Sequence, residues 1–362
     1  MFVVFITSFI ALVLTLLDSR KMLNKGMSIG FILITILGCI HYDYGNDYMS
    51  YYEIYNSIVK VHFDLGNVLT GAVYKEPAWA LLCYFFKPIG GFFMMVAVLN
   101  VIQNVIVYKQ IKNYVDRKWW PLAIFVYLFF TSYYVLNFSM MRQGLVICLF
   151  LGVWGFIKDK KCIRAFLILL LGAAIHKSAL ILLPFAFVGL LPIKKGRIMV
   201  LIYLALYFVI WFGGKFMNDL VTLFLSFDEF KEYGDSYAKD RAQNTYRLGF
   251  IINLIPLILS LIYILKSKGR GDEKLLVALS IVHFIIAPFS EIMPAIGRVG
   301  MYFGVYQILA LPRIYANVRN NLIRWGLLLI LVLITVYGYL DFFNSDVFRD
   351  GYSEFKTIFS VI

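Results

Sequence analysis

The chain is 362 residues long, and 61% of its residues are hydrophobic while only 15% are charged. Soluble domains average roughly half apolar and a quarter charged residues, so this composition excludes an ordinary soluble protein and indicates an integral membrane protein. The net charge of +13 does not indicate nucleic-acid binding, because Lys and Arg concentrate in short loops between apolar stretches.

Apolar stretches of about 15 to 20 residues recur along the chain, and each can cross a hydrocarbon core roughly 30 Å thick. We therefore predict an all-α membrane protein with about twelve transmembrane helices in one polytopic domain, residues 1–362. The predicted spans lie near residues 2–17, 28–41, 91–108, 120–137, 143–157, 164–175, 178–193, 198–213, 248–265, 274–290, 299–316 and 324–341. The first stretch has no basic residue before it and no small-residue cleavage site after it, which favours a retained span over a signal peptide.

The segment 77–90 is predicted to be re-entrant, because about 14 residues are few for a span and Pro77 suits a helix N1 position. With this choice the most basic loops share one side, where they hold 21 of the 34 Lys and Arg residues but five of the 21 acidic ones. These loops are 18–27, 109–118, 158–164, 194–197, 266–274 and 313–324. The positive-inside rule makes this side cytoplasmic and places both termini outside.

Three long segments then lie outside: 42–76, 214–247 and the tail 342–362. Apolar residues at helical spacing in the second of them predict an amphipathic helix on the membrane surface, namely Leu220, Leu223, Phe224 and Phe227. The tail has the same pattern at Phe348, Tyr352, Phe355 and Phe359. Flaps over an outward-facing cavity and plain interfacial anchors both fit these patterns.

Arg142 and Gln143 interrupt an apolar run and begin a helix at the outer face. Free backbone N–H groups and the positive end of the helix dipole favour an anion there. Arg298 occupies the matching position of a later helix, and two guanidiniums suit a pyrophosphate because each planar fork binds two oxygens. An arginine at a span end also snorkels to lipid headgroups, and for Arg247 this alternative is as good as a functional role.

His176 lies in a tight turn between two apolar stretches, where it fits a surface histidine or a phosphate donor and proton carrier. Asp47 fits a general base or a partner of one arginine, with N-capping of the following helix as the alternative; Glu76 competes for the same role. Tyr48 and Tyr51 could stack on sugar rings or belong to an interfacial belt. The spacing of His, Cys, Asp and Glu indicates no metal site, and we predict no cofactor.

Five motifs occur in the order typical of one protein family: YGNDYMSYYEIYN (44–56), EPAWALL (76–82), NFSMMRQGL (137–145), IHKSALILLPF (175–185) and GRVGMYF (297–303). Through them the chain resembles the EpsG family of Wzy-type polysaccharide polymerases. The resemblance implies a bacterial inner-membrane enzyme with its active site facing the periplasm. Such an enzyme joins undecaprenyl-diphosphate-linked oligosaccharides into O-antigen, capsule or exopolysaccharide, by inverting, metal-independent transfer in an architecture similar to GT-C glycosyltransferases.

The resemblance also implies roles for residues at the family's characteristic positions. Arg142 and Arg298 are expected to stabilise the pyrophosphate leaving group with help from His176, and Asp47 to orient or deprotonate the acceptor hydroxyl. The substrate-binding residues are expected to be Glu76, Gln143, Tyr48, Tyr51 and, on a less distinctive stretch, Arg247.

The expected partners are undecaprenyl-diphosphate-linked glycans and membrane lipid, together with a chain-length regulator and a flippase of the same pathway. The alternative functions are a lipid-linked oligosaccharide flippase and an O-antigen ligase or acyltransferase. A flippase would need polar residues along a path across the membrane, whereas here the ionisable residues stay at the predicted outer edge.

Overall fold

The computed structural model describes residues 1–130, 133–191, 196–212, 246–267, 271–286, 294–346 and 348–360. They form two compact units: Met1–Leu190 with Leu311–Ile362, and Leu191–Ala310. We describe each unit by itself, and the single polytopic domain stays a prediction.

Helices and two short strands build the first unit. Its α-helices are α1 (Phe2–Ser19), α2 (Gly26–Ile40), α3 (Tyr48–Lys60), α4 (Leu65–Leu69), α5 (Pro77–Phe86), α6 (Gly91–Tyr114), α7 (Trp120–Phe125), α8 (Tyr133–Leu136), α9 (Met141–Gly152), α10 (Trp154–Lys158) and α11 (Cys162–Ile175). Short 3₁₀ helices cover Lys87–Ile89, Arg117–Trp119 and Ile358–Ser360, a longer one covers Lys177–Leu190, and Val126–Phe130 is a π-helix. The strands β1 (His41–Tyr42) and β2 (Lys356–Thr357) pair antiparallel.

The second unit contains α12 (Gly196–Phe212), α13 (Tyr246–Lys266), α14 (Gly271–Ile286) and α15 (Pro294–Gly304). Helix α16 (Gln307–Ala316) continues from it into the first unit, where α17 (Asn321–Asn344) follows. In the second unit α14 packs against both α13 and α15. The amphipathic helix predicted around Leu220–Phe227 lies outside the described residues.

The apolar helices are those of a membrane protein. Within the described residues, four segments are long and apolar enough to cross a membrane: α1, α6, Met141–Lys158 and α17. Three of them, α1, α6 and α17, carry large exposed apolar side chains; Leu322 is 81% exposed and Phe2 71%. Exposing such side chains to water costs about 25 cal/mol per Å², whereas lipid tails accept them. The helical membrane class is confirmed, and the count of twelve spans stays a prediction.

Three predicted helices differ from the observed ones. The span predicted at 178–193 is a 3₁₀ helix with Pro184 inside it, and proline lacks the N–H that an α-helix needs there. The span predicted at 120–137 contains α7, the π-helix and α8 as separate pieces, and the span at 299–316 is divided between α15 and α16. The tail, predicted as an amphipathic helix, instead forms turns and β2, because it pairs with β1.

In the first unit, α2 and α9 both pack closely against α6. This packing positions the polar segments next to α2 and α9. Helix α2 packs against α6, and a Cβ added at Gly38 would lie 2.5 Å from Oδ1 of Asn100. Helix α9 also packs on α6, where a Cβ at Gly144 would lie 3.3 Å from Nε2 of Gln103. Small residues at these contacts let the backbones approach. The end of α2 and the beginning of α9 are thereby held against one central helix.

Candidate functional site

Arg142 lies in the first turn of α9, as predicted, and its side chain is only 14% exposed. Its Nη1 donates to the Glu76 carboxylate, with which it forms an ion pair, and to the Tyr74 hydroxyl at 2.5 Å. Its Nε donates to the Tyr51 hydroxyl at 3.4 Å. A buried charge is costly unless it is paired and hydrogen-bonded, and these contacts meet that requirement.

Three aromatic rings surround the guanidinium. Its central carbon lies 5.1, 5.5 and 5.9 Å from the ring centroids of Tyr51, Tyr74 and Trp79. Each such contact contributes about 0.5–2 kcal/mol, more where water is excluded. Burial raises the pKa of Tyr74 to about 12 although the nearby Arg142 opposes the shift, so this phenol stays neutral. Glu76 therefore supplies the negative charge opposite Arg142.

Glu76 precedes α5 and is 3% exposed. Its Oε2 accepts from Arg142, while its Oε1 accepts from Nδ1 of His176 at 3.0 Å and from the backbone N–H of Lys177 at 3.1 Å. Pro77 occupies the first position of α5, where its missing backbone N–H would have no partner within the helix anyway. The helix can therefore begin directly after Glu76. One carboxylate thus joins the beginnings of α5 and α9 to the turn after α11.

Arg142 and His176, the two side-chain partners of Glu76, each have a nitrogen that the contact with Glu76 does not use. His176 ends α11, its backbone N–H donates to Gly172 O at 2.9 Å, and its side chain is 13% exposed. His176 bonds to Glu76 through Nδ1, so the second ring nitrogen, Nε2, faces away from Glu76. The hydrogen bonds given for Arg142 use Nε and Nη1, and the side-chain bond given for His176 uses Nδ1. The cluster can therefore offer Nη2 of the guanidinium and Nε2 of the imidazole to an anion.

The ionisation of Glu76 predicts a pH dependence of stability. Burial raises the pKa of its carboxyl, but the hydrogen bond from His176 and the charge of Arg142 outweigh burial, so the pKa lies below its ordinary value of 4.5. A carboxyl with a lowered pKa stabilises the folded state fully above pH 4.5, and this contribution is lost as the pH falls through the folded-state pKa. In thermal unfolding in detergent, the advantage of the wild type over Glu76→Gln should shrink from pH 7 to pH 3. A constant difference across this range would contradict the ion pair.

Asp47 and Tyr48 are placed differently from the prediction. Asp47 is exposed at the N-cap position of α3, its side chain makes no capping bond, and its backbone N–H donates to Ser139 Oγ at 3.0 Å. The carboxylate partner of Arg142 is Glu76 and not Asp47; the roles of Asp47 as a base or as the partner of another arginine stay predictions. Tyr48 is 0% exposed and its ring packs on His41 and Phe92, so it is a core residue and not a sugar platform.

For three other predicted residues the structure gives the helix in which each one lies. Gln143 is buried in α9. Arg298 is partly buried in α15 of the second unit. Arg247 lies in the first turn of α13, and its side chain is outside the described part. The structure therefore brings together Arg142, Glu76, His176 and Tyr51 from the prediction, and the roles of Gln143, Arg298 and Arg247 stay predictions.

Two site residues were missed by the sequence reasoning, Tyr74 and Trp79. Both contact the guanidinium of Arg142, and both flank Glu76 closely in the chain. Trp79 lies inside the motif EPAWALL, and its place one helical turn after Glu76 is a signal that could have found it. Tyr74 has no such signal, because the segment before Glu76 has no helical period. Among the described residues, no three His, Cys, Asp or Glu side chains gather as a metal site would require.

The fold and this cluster define a helical membrane protein with a buried arginine–carboxylate–histidine site. The sequence profile of the EpsG family matches residues 26–357, and the chain belongs to the EpsG family. The family predicted from the five motifs is thus confirmed, and membership indicates a polysaccharide-polymerase type of function. No curated protein and no solved structure matches the chain.

Proposed function

We propose that this protein is a Wzy-type polymerase that joins undecaprenyl-diphosphate-linked oligosaccharide repeat units on the periplasmic face of a bacterial inner membrane. It would do so with twelve spans, a GT-C-like architecture and both termini in the periplasm. The family membership supports the class of function. The charge asymmetry of the loops supports the orientation.

One observation carries the proposed chemistry: a single carboxylate, Glu76, holds Arg142 and His176 side by side. Because both side chains contact the same carboxylate, we expect them to bind the same part of a substrate. In an inverting displacement the base and the leaving group lie on opposite faces of the reacting carbon. Arg142 and His176 are therefore better suited to bind the diphosphate leaving group together than to divide the roles, with one stabilising the leaving group and the other acting as the base.

In the proposed reaction, a hydroxyl oxygen of the acceptor repeat unit attacks the anomeric carbon of the growing chain. The bond from that carbon to the diphosphate oxygen breaks, and its electron pair stays with undecaprenyl diphosphate. Nη2 of Arg142 donates to the departing oxygens, and His176 donates through Nε2 when its ring carries a second proton. The hydroxyl proton leaves to Asp47 or to water, and Arg298 is the proposed second guanidinium.

His176 tests this assignment without disturbing the arginine. His176→Ala is expected to shorten the surface polysaccharide strongly, since the diphosphate loses one donor, and the exposed His62→Ala is the matched control. Both variants are expressed in cells lacking their own copy, checked for equal protein level, and compared by the ladder of surface polysaccharide on a gel. An unchanged ladder for His176→Ala would remove it from the mechanism.

The same gel separates the proposal from its rivals. A polymerase defect leaves single repeat units attached to the surface anchor. A flippase defect leaves no repeat unit at the surface, and a ligase defect leaves long chains on the lipid carrier. Either of the last two patterns would overturn the polymerase assignment.

A further inference from the structure

The C-terminal segment 348–357, here called the C-terminal strap, is bound to the segment that carries Asp47. Strand β2 pairs with β1 in the register His41 with Thr357 and Tyr42 with Lys356. The backbone N–H of Gly45 donates to the carbonyl oxygen of Gly351 at 2.8 Å. Backbone contacts thus hold the strap at both ends of the segment 41–45.

Aromatic packing buries the middle of the strap. Tyr352 is 1% exposed, and its ring meets Tyr44 and Phe342 edge-on at centroid distances of 5.0 and 5.3 Å. The ring of Phe355 lies 5.1 Å from that of Tyr44. The amino group of Met1 donates to the carbonyl oxygen of Tyr352 at 3.2 Å. These contacts tie the strap to α1, to the end of α17 and to the segment before α3.

The strap also reaches the turn that leads to Arg142. The Tyr352 hydroxyl donates to the carbonyl oxygen of Val135 in α8 at 3.3 Å. Four residues later, Ser139 accepts the backbone N–H of Asp47 at 3.0 Å. A Cβ added at Gly45 would lie 2.9 Å from Cα of Ser139, so these two backbones are in direct contact. Three segments therefore contact one another and form one layer: the strap, 43–47 and 135–139.

In the chain, this layer's segments 135–139 and 43–47 come directly before α9, which carries Arg142, and before α3, which carries its partner Tyr51. Arg142 follows Ser139 by three residues, and Tyr51, which contacts Arg142, follows Asp47 by four residues. A shift of either segment would move the guanidinium or the hydroxyl that meets it. Displacements of about 1 Å at a catalytic group can lower the rate about 100-fold.

We infer that the C-terminal strap is a positioning element of the candidate site, and that Gly351 and Tyr352 are its positioning residues. They act on the reaction through the 43–47 and 135–139 segments and do not touch the substrate. This inference rests on the proposed function, because the reaction that it affects is the polymerisation.

Gly351 offers a sharp test. A Cβ at this position would overlap Oδ1 of Asn46 and lie 3.0 Å from the backbone nitrogen of that residue. The matched control is Gly338 in α17, where an added Cβ meets nothing within 4 Å. Asn46→Ala removes Oδ1 and should partly rescue Gly351→Ala.

The full-length protein is purified in detergent and assayed with the repeat-unit lipid extracted from polymerase-deficient cells. For Gly351→Ala we expect kcat to fall at least about 10-fold with KM within about twofold, a melting temperature near that of the wild type, and partial recovery of kcat with Asn46→Ala. Gly338→Ala should match the wild type. Tyr352→Phe should lower kcat less than Gly351→Ala, since it removes one hydroxyl and keeps the ring.

Two outcomes would overturn the inference: wild-type kcat for Gly351→Ala, or a loss that follows the melting temperature and is not rescued by Asn46→Ala. Failure of the proposed function gives a different pattern. In that case His176→Ala also keeps wild-type kcat, or the wild-type enzyme forms no polymer from the repeat-unit lipid.

Discussion

Arg142→Lys is expected to abolish long polysaccharide chains and to leave single-repeat material at a normal protein level. Lysine keeps the positive charge, but it cannot donate to Glu76, Tyr74 and an incoming phosphate at once in the planar geometry of a guanidinium. The loss of one preorganised donor to a developing negative charge lowers rates by about 10²–10³. We therefore expect polymerisation to fall at least about 100-fold. The measurement is the polysaccharide ladder together with turnover of repeat-unit lipid by the purified variant.

Arg117 provides a matched control for this exchange. It also pairs with a buried carboxylate, Asp18, at 2.6 Å and lies over an aromatic ring, that of Trp120. This pair joins the end of α1 to the chain after α6, and Asp18 also accepts from the backbone N–H of Met27 at the beginning of α2. Arg117→Lys should leave chain length unchanged. Long chains with Arg142→Lys, or an equal loss with Arg117→Lys, would contradict a specific role for Arg142.

Glu76→Gln is expected to remove activity and to destabilise the protein. The amide cannot neutralise Arg142, and a buried charge left without its partner costs about 3–5 kcal/mol. The amide also keeps only one acceptor oxygen, so it cannot accept from both Arg142 and Nδ1 of His176. The expected result is single-repeat material on the gel and a lower melting temperature in detergent at pH 7.

Asp18→Asn is the control that separates the loss of activity from the loss of stability expected for Glu76→Gln. Asp18 is likewise a buried carboxylate bonded to an arginine and to a backbone N–H, but it has no contact with the candidate site in the described residues. It should lower the melting temperature and leave the turnover per folded molecule unchanged. If both variants keep turnover, Glu76 has a structural role only and the proposed arrangement of Arg142 and His176 is wrong.

Several residues of the candidate site could be predicted from the sequence because their chemistry contradicts their surroundings. Arg142 in an apolar run and His176 in a turn between apolar stretches are visible without any structure. Their connection is not, since Glu76 precedes Arg142 by 66 positions and His176 by 100. The sequence offered Asp47 as the partner of an arginine and Glu76 only as a competing base, and the packing of α5 against α11 instead brings Glu76 to Arg142 and His176.

The tail shows how an amphipathic pattern can mislead. Phe348, Tyr352 and Phe355 have helical spacing, but their rings fit between α17 and the segment around Tyr44, and the backbone pairs with β1. Tertiary contacts between residues about 300 positions apart override a local period of this kind. Tyr48 and Tyr51 also look alike in the sequence but have different surroundings in α3. Tyr48 packs in the core, whereas Tyr51 contacts Arg142.

The sequence by itself determined the membrane class, the family and the unusual charged residues, because composition, motifs and hydrophobic length are local properties of the chain. The tertiary structure alone decided that Glu76 bridges Arg142 and His176, that Tyr48 is a core residue, and that the C-terminal strap contacts the segment before Arg142. Each of these depends on which distant segments are brought within hydrogen-bond reach. Helix packing sets those distances, and no local pattern in the chain encodes them.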